Sequence, residues 1–154
     1  MNHNFMSEAI RLSIENIEKG GGPFGAVIVK DGEIIARGVN RVTSNKDPTA
    51  HAEICAIRNA CKTLNTFNLE GCDIYSSCEP CPMCLSAIYW AHISHLYYGN
   101  TAQDAKEIGF DDSFIYSELS IPQVERKLPA LQIMENEAIE AFHIWEKSEK
   151  KEAY

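Results

Sequence analysis

Apolar residues recur every three to four positions at the start of the chain, with Met6, Ala9, Ile10, Ile14 and Ile17 spread through residues 4–19. That period predicts an amphipathic helix, and Gly20 just beyond it is suited to a helix C-cap. The pattern then shortens. "PFGAVIVK" and "EIIARGVN" are dense in apolar residues and flank Asp31-Gly32, which predicts a β-hairpin with a tight turn. Polar "RVTSNKDP" reads as a loop. Ile54, Ile57, Ala60, Cys61 and Leu64 restore helical spacing from Thr49 or Ala50 to Leu64. "CDIYSSC" then predicts a short strand, "PMCLSAIYWAHI" a helix, and "SHLYYGN" a strand whose Tyr and Leu residues suit a sheet.

Helix, hairpin, helix, strand, helix and strand in that order predict an α/β fold, with a mixed sheet covered by helices on both faces. After Gly99 the pattern predicts a short helix near 101–108, the octapeptide "GFDDSFIY", a short strand near 128–134 and a final helix over about 136–150. The chain has 154 residues, 45% of them hydrophobic, enough for one domain over 1–154 that folds without disulfides. The tail, from about 119 to 154, need not pack only on its own subunit.

The N-terminus, "MNHNFMSEAI", lacks the features of a signal peptide, and no apolar run nears the roughly 20 residues of a membrane span. A cytoplasmic protein without membrane partners is expected. In a reducing compartment, six cysteines point to metal binding or buried thiols rather than bridges. A net charge of −8 argues against a surface built to neutralise nucleic-acid phosphates. Lys147, Lys150 and Lys151 alternate with Glu146, Glu149 and Glu152, the pattern of a solvated helix face.

The densest chemistry is "SSCEPCPMC", with Cys78, Cys81 and Cys84 in two overlapping CxxC spacings. Proline selects between them. Pro82 suits the first helical position, which puts Cys81 at the N-cap and Cys84 within the same turn, so both sulfurs can face one ion. The free N–H groups of a helix N-terminus favour thiolate over thiol. Cys78, ahead of Pro80, is either a buried thiol beneath the site or a third sulfur ligand. Cys55, Cys61 and Cys72 read as core thiols.

A zinc site needs a further ligand, and among five histidines His51 opens the other central helix in "TAHAEICAI". Glu53 follows two residues on. HxE followed by PCxxC is the signature of zinc nucleobase deaminases, and His51, Glu53, Pro80, Cys81 and Cys84 satisfy it in order. A His/Cys/Cys site leaves tetrahedral zinc an open position, where the pKa of water falls to about 7. Glu53 would then carry protons between water, ring nitrogen and leaving amine. A redox CxxC would leave the HxE unused, and a closed structural site from His51, Cys78, Cys81 and Cys84 would need no glutamate.

These motifs, with "GGPFGAVIVKDG", "GFDDSFIY" and the terminal Tyr154, make the chain similar to the cytidine deaminase superfamily, and within it to the guanine deaminases. The resemblance implies a three-layer α-β-α fold with a five-stranded mixed sheet, one zinc ion per subunit, and hydrolysis of guanine to xanthine and ammonia in purine metabolism. It also implies a homodimer in which the tails, 119–154, are swapped so that each covers the other subunit's site. Substrate contacts would come from Phe24, Asn40, Trp90 and Asp112, with Tyr154 arriving from the neighbour. Read from residues alone, Phe24 and Trp90 are core candidates, Asn40 a strand end and Tyr154 a frayed terminus.

For the octapeptide, chemistry and resemblance converge. Guanine presents N1–H and its 2-amino group side by side, two donors that one carboxylate can accept. Asp112 is the candidate for that role and for assisting ammonia departure, while Asp111 caps the turn or faces solvent. Guanosine or another aminated purine or triazine shares the same ring edge. Adenosine in tRNA would require basic phosphate contacts, and a non-catalytic zinc module would bind without turnover.

Overall fold

Asn2 accepts a hydrogen bond from the backbone N–H of Asn4 through its side chain and so caps α1, His3–Glu18. This side-chain bond satisfies one of the donors that a helix N-terminus leaves unpaired. The helix ends where Gly20 takes a φ of +78°, the left-handed conformation that glycine adopts without steric cost. The structure, a computed structural model, describes residues 2–154. They fall into two compact units, the first ending at Asp112 and the second running from Ser113 to Tyr154.

In the first unit, β1 (Gly25–Lys30) and β2 (Glu33–Val39) form the expected hairpin. Its turn places Asp31 and Gly32 at φ +50° and +81°, the paired positive values of a tight turn that matches strand twist. The "RVTSNKDP" loop holds one extra helical turn, α2 (Val42–Asn45), closed by Lys46 in the left-handed region. Then follow α3 (Ala52–Leu64), β3 (Cys72–Cys78), α4 (Pro82–Trp90), β4 (His95–Asn100) and α5 (Ala102–Glu107). Helix α4 stops before Ala91-His92, shorter than the apolar pattern suggests, because His92 turns to φ +56°.

The sheet runs β2-β1-β3-β4, with β1 antiparallel to both neighbours and β3 parallel to β4. Alternation divides its side chains between two cores. Ala26, Ile28, Cys72 and Ile74 meet Ala52, Ala56 and Ala60 of α3 and Ile88 of α4 on one face. Val27, Val29 and Tyr75 meet Phe5, Met6 and Leu12 of α1 on the other. Strand β1 is buried on both sides, which explains why "GAVIV" is continuously apolar. Gly38 lets β2 approach α3: a Cβ there would strike the backbone of Ala52 and Ala56.

The sheet has four strands, not five. The segment expected as a fifth strand, 128–134, pairs with no strand among the described residues. Pro129 lacks the N–H a ladder needs, and Leu128, Leu131 and Ile133 are exposed. The second unit is instead helical, with α6 (Ser113–Ser120), a 3-10 turn at Gln123–Glu125 and α7 (Glu135–Lys147). Among the described residues, no helix is long and apolar enough to cross a membrane.

Candidate active site

Two helix starts supply three candidate metal ligands. His51 stands at the N-cap of α3 and Cys81 at the N-cap of α4, both in extended backbone leading into the first turn. Pro82 occupies the start of α4, and Cys84, fully buried, lies in its first turn. His51 Nδ1 is 3.5 Å from the Sγ of Cys81 and 3.5 Å from that of Cys84, and the three atoms lie within 4.8 Å of one another. Tetrahedral zinc, with bonds of about 2.3 Å to sulfur and about 2.0 Å to nitrogen, separates S and N by about 3.5 Å. The residues therefore fit zinc, and two thiolates with one imidazole select it chemically.

The cluster's electrostatics suit a cation. Cys84 donates to Cys81, and this bond, with a further one from His51, holds the Cys81 thiol down to about 4 despite burial. That same bond, with burial, raises Cys84. Interaction with Cys81 raises His51. Cys78 is not part of the triad. Its Sγ lies 3.7 Å from the Thr101 carbonyl, and burial pushes its thiol up to about 11, which fits the buried-thiol alternative and not a third sulfur ligand. Cys55, Cys61 and Cys72 are also free.

Glu53, in the first turn of α3, is 7% exposed, and burial raises its pKa. A carboxyl whose pKa is raised holds a proton more readily than a solvated one, which suits a group that must take and give protons. The sequence did not single out its partner. Ser76 Oγ donates to Glu53 Oε1 at 3.1 Å from a site that is 2% exposed. The signal was strand parity: Ser76 shares the β3 face of Cys72 and Ile74, the face that α3 covers. Ser76→Ala should lower kcat about tenfold, the worth of one hydrogen bond to a charged group. KM and zinc content should be unchanged and Ser76→Thr should recover most of the rate, as steady-state kinetics and metal analysis would show.

The two acids of the octapeptide separate. Asp111 makes a 3.3 Å ion pair with Lys106 and is 44% exposed, the solvent-facing alternative. Asp112 is half-buried, and its pKa is raised first by desolvation and then by Cys81, Asp111 and Glu79, so it shares the local field of a candidate metal ligand. Glu79 is held in place by accepting from Ala102 N–H at 3.0 Å.

Phe24 packs at the edge of the α3-side core and meets Phe110 edge-on, with ring centroids 5.0 Å apart. Phe110 thus ties the octapeptide to the start of β1, a link the sequence pattern did not suggest. Asn40, 8% exposed, follows β2 and accepts from Val42 N–H, while its carbonyl accepts from Asn16. Gly22 lies against its side chain. Trp90 closes α4, 64% exposed and six residues beyond Cys84; the pattern had marked it as a core candidate. Tyr154 ends the second unit, exposed.

Residues 1–100 match the family model of the cytidine and deoxycytidylate deaminase zinc-binding region. The chain belongs to that family. It is 52% identical to the guanine deaminase of Bacillus subtilis over 156 residues, covering all of both chains. The X-ray structure of that guanine deaminase superimposes with a TM-score of 0.96, over 100% of this chain and 99% of that one. The tRNA-specific adenosine deaminase of Aquifex aeolicus is 47% identical over 105 residues, 68% of each chain. The family supplies the zinc that the geometry accommodates.

Proposed function

We propose that the protein hydrolyses guanine to xanthine and ammonia. The observation that carries this reading is one buried carboxyl beside the metal triad and a second, Asp112, in the field of Cys81. Together they provide a proton carrier and an acceptor for the base's donor edge. The likeness to the B. subtilis guanine deaminase, which extends through the tail, supports the choice of base.

His51, Cys81 and Cys84 would hold zinc, which when bound acts as a Lewis acid that activates water. Glu53, fixed through Oε1 by Ser76, takes a proton from the attacking water and passes it to the adjacent ring nitrogen. With the water oxygen bonded to C2, Glu53 carries that oxygen's remaining proton to the exocyclic 2-amino nitrogen, whose bond to C2 breaks so that ammonia leaves and the C2 carbonyl of xanthine forms. Asp112 accepts from N1–H and the 2-amino group, orienting C2 and drawing on the departing amine. Phe24, Asn40 and Trp90 contact the ring, joined by Tyr154 of the partner subunit.

A homodimer with exchanged tails accounts for the exposed Val124, Leu128, Leu131 and Ile133 and for the unpaired 128–134 segment. Free cysteines throughout support a cytoplasmic setting. The test is ammonia release by the zinc-loaded protein from guanine, guanosine, adenine, cytosine and a tRNA anticodon stem. Guanine should be turned over fastest. Turnover of another substrate with guanine inert would overturn the choice of base, and no turnover of any would favour a binding module.

A further inference from the structure

The first unit holds a concave site that the triad, Glu53 and Asp112 do not use. Its cavity, about 460 Å³, is lined by Lys19 at the end of α1, Arg37 on β2, Arg41 and Asn45 at α2, and Arg58 on α3. In a chain of net charge −8, four cations line one cavity and no acidic side chain does.

Nearby carboxylates neutralise only part of this charge. Arg37 Nε is 2.7 Å from Glu8 Oε1, and Arg58 Nη1 is 3.7 Å from Asp47 Oδ2, too long for a hydrogen bond. Among the described residues, Lys19 and Arg41 have no ion-pair partner. Gathering like charges without an anion is unfavourable, and a phosphoryl group, with its oxygens and double charge, matches guanidinium forks and an ammonium. The volume lies in the range of small-molecule sites, about 300–1,000 Å³. It exceeds the needs of a bare ion and suits one the size of a sugar phosphate.

We propose that this cavity binds the phosphoryl group of a small phosphorylated metabolite. An extended nucleic acid fits less well, since the four cationic residues line a single cavity of about 460 Å³ and not an elongated groove.

The test is calorimetric titration of the zinc-loaded protein with inorganic phosphate, ribose 5-phosphate and unphosphorylated ribose at constant ionic strength. A sugar phosphate carries no base, so the purine site does not select it. Saturable binding of ribose 5-phosphate is expected, tighter than that of phosphate, with none for ribose. The double variant Lys19→Gln/Arg41→Gln should weaken it by about tenfold or more, with circular dichroism and guanine turnover unchanged.

Binding that is absent up to about 10 mM, or unaltered in the double variant, would overturn the proposal. So would competitive inhibition of guanine turnover by phosphate to the same degree in both proteins, which would place the anion at the metal instead. Tight binding of single-stranded RNA that depends on Lys19 and Arg41, with ribose 5-phosphate inert, would assign the cations to a nucleic acid and overturn it too.

Discussion

Glu53→Ala should lower kcat for guanine by about 10²- to 10⁴-fold, the usual contribution of a positioned proton carrier, while the protein keeps one zinc ion per chain. The separation follows from geometry. Among the described residues, the donor atoms within 4.8 Å of one another come from His51, Cys81 and Cys84, so removing Glu53 takes nothing from this candidate ligand set. Truncation relieves a buried carboxyl whose pKa is raised by desolvation but leaves the buried Ser76 hydroxyl without that partner, so the two effects oppose each other and the variant should stay folded. Glu53→Gln preserves shape and can still meet Ser76, yet it cannot take up a proton and should be nearly as slow. Measuring kcat and zinc content on the same preparations checks this. A Glu53→Ala protein that has lost its metal would make the glutamate part of the metal site, and full activity would remove it from the reaction.

The metal site was legible in the sequence because its parts are local. Pro82 fixed the start of α4, and the spacing of Cys81 to Cys84 and of His51 to Glu53 then placed each pair on one helical turn. What joins the two turns is tertiary, and Ser76 shows the difference. Its role depends on which face of β3 lies against α3, and this follows only after the sheet order is known. Helix α6 was hidden because "SFIY" alternates too briefly to announce a period, and α4 was read too long because Ala91 and Ile93 extend its apolar run past the turn at His92. The 128–134 segment misled for another reason. An apolar stretch resembles a strand, but a strand exists only where another chain segment offers a ladder, and residues 113–154 fold as a helical unit that provides none.

Asp112→Asn should reduce kcat/KM for guanine by about 100-fold, whereas Asp111→Asn should change it by less than about threefold. Adjacent in sequence, the two acids lie in different surroundings. Asp111 is 44% exposed and spends its charge on Lys106 at 3.3 Å, and a surface pair of that kind contributes at most about 1 kcal/mol to stability. Asp112 is half-buried near Cys81 and Glu79, where its charge is costly and its pKa is raised. Placing a carboxyl among negative neighbours is repaid when donors arrive, and guanine brings two of them on one edge. An asparagine there offers one acceptor and one donor, so a donor on the substrate faces a donor on the protein and the loss exceeds that of a single missing bond. The loss should be specific. Against a purine without a 2-amino group the two proteins should bind alike, because the second donor is missing there as well. Equal losses from the Asp111 and Asp112 variants, or none from Asp112→Asn, would remove Asp112 from recognition of the base and leave the octapeptide with a structural role, tying Phe110 to Phe24.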